Sequence, residues 1–167
     1  TYRGNSGISG VTSSTYRTAL AKLADTVSVK DFGAAIDGVT DDTAAWQAAA
    51  ATGLPIKMPS GTSIVSGLVF TSSVCIFADS SFSSTIKLKN GSNTHVIKST
   101  GDITISLFNV GIDGNYLNQT LTPNYPCGVL VPIGRLIMEN CYVTNVLNHA
   151  IHTGNTDYDY AAGSYAH

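Results

Sequence analysis

Apolar and polar positions change rhythm once along this chain, at Pro55. Before that point the pattern is mixed. Tyr16, Ala19, Leu20 and Leu23 fall at i, i+3, i+4 and i+7, which predicts a short helix over Tyr16–Ala24 with one apolar face. Thr26 to Phe32 alternates apolar and polar residues and predicts a strand ended by Gly33. After a loop over 34–39 comes the strongest helix signal. Thr40 is expected as N-cap, with Asp41 and Asp42 in the first turn, where the helix dipole favours negative charge. The Ala-rich run Thr43–Thr52 carries one large side chain, Trp46, and Gly53 and Pro55 stop it. Beyond Pro55 short β-type runs alternate with small polar turns. They cover 56–58, 63–65, 67–70, 73–77, 85–88, 95–97, 103–105, 110–113, 128–131, 136–139 and 142–144. No second long helix is predicted.

Two of these runs resemble each other. Leu107–Asn115 aligns with Met138–Asn145, each with an Asn, a short strand and a turn ending in Asn. Asn109 and Asn140 stand 31 residues apart, with a loop at Tyr116–Tyr125 that looks inserted; without it the period is near 20. Such a period fits one coil of a solenoid. Composition agrees. Ser, Thr, Asn and Gly supply 64 of the 167 residues, only 12% are charged, and Glu139 is the sole glutamate. Helical bundles and α/β folds spend Glu and Lys on exposed helix faces, so neither suits this chain. Stacked coils, by contrast, favour neutral turns, because identical charges piled about 4.8 Å apart repel. A two-sheet antiparallel sandwich of short strands is the alternative and stays open on pattern alone.

Charge and cysteine usage exclude several classes. A net charge of −2 offers no basic stripe for nucleic acid. No apolar run reaches the roughly 18 residues of a membrane span. The opening residues do not form a signal peptide. Cys75, Cys127 and Cys141 show no C-x-x-C spacing, so they are expected as reduced, packed thiols, with no metal or other cofactor.

Residues 26–53 are more specific. Val29-Lys30-Asp31-Phe32-Gly33-Ala34, then Asp37-Gly38, then Thr40-Asp41-Asp42-Thr43, then a helix with Gln47, resemble the opening motif of the pectate-lyase-like right-handed parallel β-helix superfamily. Bacteriophage tailspikes carry this motif in particular. Ala35-Ile36 stands where that motif commonly has Lys or Val followed by Gly. Ile56–Thr62 is similar to the family's first coil, and Val110–Asn115 to its strand-Ile-Asp-Gly-Asn coil. The resemblance covers 11–115 well and 128–154 loosely. It implies a mainly β fold, a right-handed parallel β-helix whose open N-terminal end is capped by the helix after Asp41-Asp42. Thr40, Asp41, Asp42 and Trp46 would then be cap residues rather than catalysts. Implied boundaries are a neck or linker over 1–25, the first strand and capping helix over 26–53, and the first coils over 54–167. With no closing helix at Thr156–His167, the chain reads as the N-terminal part of a longer solenoid.

The resemblance implies a receptor-binding tail protein of a virion, acting outside the cell, with host capsular polysaccharide or lipopolysaccharide as its target. Other tail proteins would be partners, and a homotrimer is expected. Cleavage of the polysaccharide, by hydrolysis or elimination, would belong to the full-length protein and not to this stretch alone. Hydrolysis needs two carboxylates about 5–10 Å apart. The weak candidates are Asp113, Glu139, Asp157 and Asp159, and Tyr158 and Tyr160 could stack on sugar rings. Plainer readings stand beside each. Asp113 holds an Ile-Asp-Gly-Asn turn, Glu139 lies on a solvated face, and 157–160 form a terminal loop. His149 and His152 could serve as base or metal ligands, or as ordinary loop residues. Two other classes remain open: a non-catalytic tail adaptor, and a secreted bacterial polysaccharide lyase or hydrolase.

Overall fold

The computed structural model describes residues 18–120 and 126–154. Within them the chain winds as a parallel β-helix, and every strand pairing is parallel. An antiparallel sandwich is therefore excluded. Helix α1 (Ala19–Leu23) leads into an incomplete first turn made of β1 (Val27–Ser28) and β2 (Asp37–Asp41), followed by helix α2 (Thr43–Ala50). Four coils of three strands come next. They are β3 (Ile56–Met58), β4 (Gly61–Val65) and β5 (Leu68–Phe70); β6 (Val74–Ala78), β7 (Ser84–Leu88) and β8 (Ile97–Ser99); β9 (Ile103–Phe108), β10 (Gly111–Asp113) and β11 (Val129–Val131); β12 (Gly134–Glu139), β13 (Tyr142–Thr144) and β14 (Ile151–Thr153). Each coil gives one strand to each of three sheets. Sheet A runs β1-β3-β6-β9-β12, sheet B runs β2-β4-β7-β10-β13, and sheet C runs β5-β8-β11-β14.

The core is a set of ladders. On sheet A, Ile56, Ile76, Leu107 and Met138 stack in register. On sheet B the series is Ser63, Ile86, Ile112 and Val143, and on sheet C it is Leu68, Ile97, Val129 and Ile151. The first three coils bury these residues; in the fourth, Met138 and Val143 are half-buried and Ile151 is exposed. The corners use asparagine as expected. Asn109 and Asn140 hold left-handed backbone at the same corner of successive coils, and Asn115 and Asn145 do so at the next. Asparagine tolerates that region better than other residues with a Cβ. The observed step between the paired strands is 31 residues (Gly111 to Tyr142), so the loop is part of the coil rather than an addition to a 20-residue period.

Two local expectations are corrected. Val29–Phe32 is a 3-10 turn and not the second half of a strand. Ser28 accepts from Lys30 N–H, the Asp31 carboxylate accepts from Ser28 N–H, and Gly33 ends the turn at φ +91°. Helix α2 also starts later than its polar lead suggests. Thr40 is not the N-cap: it lies on β2 and its hydroxyl donates to Asp37 at 2.8 Å. Asp42 occupies the cap position, and Asp41 ends the strand. The physical reason is competition. Asp37 claims Thr40 through its N–H and hydroxyl, and pairing with β4 extends the chain through Asp41.

Candidate functional site

The residues around α2 form a buried polar chain. Trp46, fully buried, donates its indole N–H to Ser63 Oγ at 2.8 Å, and Ser63 donates to Asp42 Oδ2 at 2.8 Å. Asp42 also accepts from the N–H groups of Ala35 and Ile36. This explains a hydroxyl in the core ladder of sheet B: Ser63 relays between an indole donor and a carboxylate that would otherwise lack partners. Asp41 points elsewhere. It accepts from the Thr43 N–H and hydroxyl and from Ser66 Oγ, and pairs with Lys89 Nζ at 3.1 Å. Burial pushes its carboxyl pKa up, but the hydrogen bonds from Ser66, Thr43 and Lys89 outweigh this and hold it well below the usual carboxylate range. The two adjacent carboxylates thus serve separate networks, and neither is arranged as one half of an acid/base pair.

The other carboxylate candidates do not converge. Asp113 accepts from Asn115 N–H at 2.8 Å and pairs with Lys87 at 3.4 Å on the coil below, on sheet B. Glu139 is exposed at the end of β12, on sheet A. Asp157, Tyr158, Asp159 and Tyr160 lie outside the described residues. A depression of about 180 Å³ between Gly53–Pro55 and the outer side of sheet A is lined by Ser73, Cys75, Thr104 and Ser106, with no carboxylate or imidazole.

The outer side of sheet B carries an aromatic platform that the linear sequence does not announce. Tyr142 begins β13 and reaches across the third coil to the second, where its hydroxyl meets Thr85 Oγ1 at 2.8 Å. The coil between supplies Gly111, and a Cβ there would stand 2.4 Å from the tyrosine ring. Phe82, on the corner before β7, stacks on Tyr142 with ring centroids 6.1 Å apart and an interplanar angle of 25°. Phe82 is 92% exposed, an unusual state for a large apolar ring. Two residues further along the same strands stand Lys87 and Asp113, with Thr144 in register beside them. The result is a flat ring surface, an ion pair and a hydroxyl on one face, spaced about 7 Å along the strands. Pyranose rings offer the matching chemistry, an apolar C–H face edged by hydroxyl and carboxylate groups.

A second cluster joins residues remote in sequence. Cys127, His149 and His152 place their ligand atoms within 4.8 Å of one another. Spacing alone could not show this, because two coils assemble it. His149 and His152 meet edge to face at 5.6 Å between centroids. His95 accepts the Cys127 backbone N–H on Nδ1 at 3.0 Å. Burial, with Lys98 and His152 adding, pushes the His95 pKa down to about 4, so its ring stays neutral near pH 7.

Comparison with known proteins places this architecture. Residues 26–125 match the family model described as "Rhamnogalacturonase A/epimerase, pectate lyase-like". The A-module of the mannuronan C-5 epimerase AlgE4 of Azotobacter vinelandii is similar at 25% identity and a TM-score of 0.60, over 76% of this chain and 41% of that one. The N-terminal fragment of bacteriophage Phi29 gene product 12 is similar at 26% identity and a TM-score of 0.62, over 80% of this chain and 24% of that one. ORF18 of Geobacillus virus E2 shares the fold, at 23% identity and a TM-score of 0.58, over 81% of this chain and 30% of that one. The chain thus spans well under half the length of these proteins. A comparison with curated proteins gives no match.

Proposed function

The chain belongs to the rhamnogalacturonase A/epimerase, pectate lyase-like family, and from that premise we propose that it is part of a phage tail protein that engages polysaccharide on the host surface. The observation that carries the reading is the exposed Phe82–Tyr142 platform beside the Lys87–Asp113 pair. Aromatic faces bind apolar sugar faces, Lys87 can meet a uronate or other acidic substituent, and Asp113 and Thr144 can bond hydroxyls. Phage proteins among the structural neighbours support the virion tail as its place. Assembly as a homotrimer with other tail proteins belongs to the same proposal, as does α2 with Trp46 as the cap over the N-terminal end of the coils. No helix among the described residues is long and apolar enough to cross a membrane.

Any cleavage resides in the longer protein, since Asp113 and Glu139 sit on different sheets and Asp41 and Asp42 are committed to structure. The likeness to a mannuronan epimerase favours a second chemistry on uronates, inversion at C-5 without chain cleavage. The test incubates the full-length protein with purified host capsule or lipopolysaccharide. Products are followed by chain length, by ultraviolet absorbance of unsaturated uronates and by NMR of the anomeric protons. Shorter chains support depolymerisation, and changed uronate configuration at constant length supports epimerisation. Neither binding nor turnover on polysaccharide from any susceptible host would overturn the proposal.

A further inference from the structure

The Cys127–His149–His152 cluster has no part in sugar binding on sheet B, and its geometry points to a different ligand. We propose that these three side chains bind a divalent transition metal, Zn²⁺ in the first instance, and so fasten the fourth coil to the third.

The backbone brings the three together in register. Gly128 N–H donates to His149 O and Val129 N–H to Ala150 O, each at 3.0 Å, so Cys127 and His149 lie at the same level of adjacent coils. Leu130 pairs with His152, which puts the second imidazole on the strand that follows. Gly128 permits the approach: a Cβ there would stand 2.4 Å from Val143 and 2.6 Å from Ala150 O. Ligand atoms within 4.8 Å are near the edges of a zinc tetrahedron, about 3.4–3.6 Å for N and S ligands at usual bond lengths. Side-chain rotation of His149, which is exposed, can close the remaining distance.

The donor set selects the metal. One thiolate and two imidazoles suit Zn²⁺, whereas Mg²⁺ and Ca²⁺ take oxygen ligands. Cys127 is 3% exposed, and burial pushes its thiol pKa up. Hydrogen bonds from the His149 backbone and the Asn148 side chain act against that and favour the thiolate. His95 fixes the Cys127 backbone from the coil below. Binding moves the thiol proton to buffer and involves no electron transfer. The fourth coordination position faces solvent on the His149 side.

The test uses the tag-free, chelator-dialysed protein, titrated with ZnCl₂ by calorimetry and with CoCl₂ by absorbance. The expected results are 1:1 stoichiometry, a raised Tm with zinc, and a cobalt–thiolate charge-transfer band. His149→Ala, at an exposed position, and His152→Ala are each expected to weaken binding roughly tenfold or more. Cys127→Ser is expected to abolish the charge-transfer band; should it fail to fold, the band in the unmodified protein still decides thiolate ligation. Absence of stoichiometric binding, or 1:1 binding with no thiolate band and unchanged affinity in both histidine variants, would overturn the proposal.

Discussion

At the scale of residues, the most informative position is Asp42, 2% exposed and yet charged. Its carboxylate meets two backbone N–H groups and the Ser63 hydroxyl, and through Ser63 the Trp46 indole. Truncation strands several buried donors at once, each costing about 1–3 kcal/mol. Asp42→Ala is therefore expected to destabilise the fold by about 2–4 kcal/mol in urea denaturation. A loss below about 1 kcal/mol would contradict the network's role. Ile36 explains the one departure from the family motif. It holds φ +53°, a region where a β-branched residue is an outlier, and glycine is the residue suited to it. Burial of its side chain offsets that strain. Ile36→Gly is expected to cost less than about 2 kcal/mol, while Ile86→Gly, in a core ladder, should cost more than about 4 kcal/mol. Equal losses at the two sites would remove the strain argument.

At the scale of elements, β2 is the piece least visible in the sequence and most dependent on charge. Its five residues are all exposed and polar or small apart from Val39, so no apolar alternation marks it as a strand. Asp37 folds it back through Val39, Thr40 and their N–H groups, and Asp41 ties its end to Ser66 and Lys89 on later connections. Both carboxyls are held below their ordinary pKa, Asp37 chiefly by the Thr40 and Val39 N–H groups. A folded pKa below the unfolded one means that the stabilisation is fully present above about pH 4 and is lost as pH falls through the folded value. Stability is thus expected to drop on acidification below that point, and Asp41→Asn should flatten the drop while lowering stability at neutral pH. An identical acid limb in the variant would show that Asp41 is not its source. By contrast, most later strands were legible: 56–58, 68–70 and 142–144 coincide with β3, β5 and β13. There the apolar ladder positions impose a period of two on the sequence. Strand β14 gave a weaker signal because its Ile151 is exposed.

At the scale of the whole molecule, the stacking that makes the fold readable also hides its sites. The ladders and the left-handed asparagines repeat from coil to coil, so neutral turns and short apolar runs report the solenoid directly. The candidate sites lie along the stack and not along the chain. Phe82, Gly111 and Tyr142 come from three coils, and so do His95, Cys127 and His149. The loop at 116–120 follows the same logic. Gln119 accepts from Asn93 N–H and donates to Lys89 O, and Asn115 donates to Leu88 O, which joins the third coil to the second through neutral amides. The central claim is that the sheet B platform is a sugar-binding face. Its most direct test is the affinity of host-derived oligosaccharides for the unmodified protein and for Phe82→Ala, measured by calorimetry. Phe82 is nearly free of the core, so the variant should keep its Tm. The account predicts saturable binding that weakens roughly fivefold or more on removal of the ring. Binding with the same affinity in the variant would contradict it.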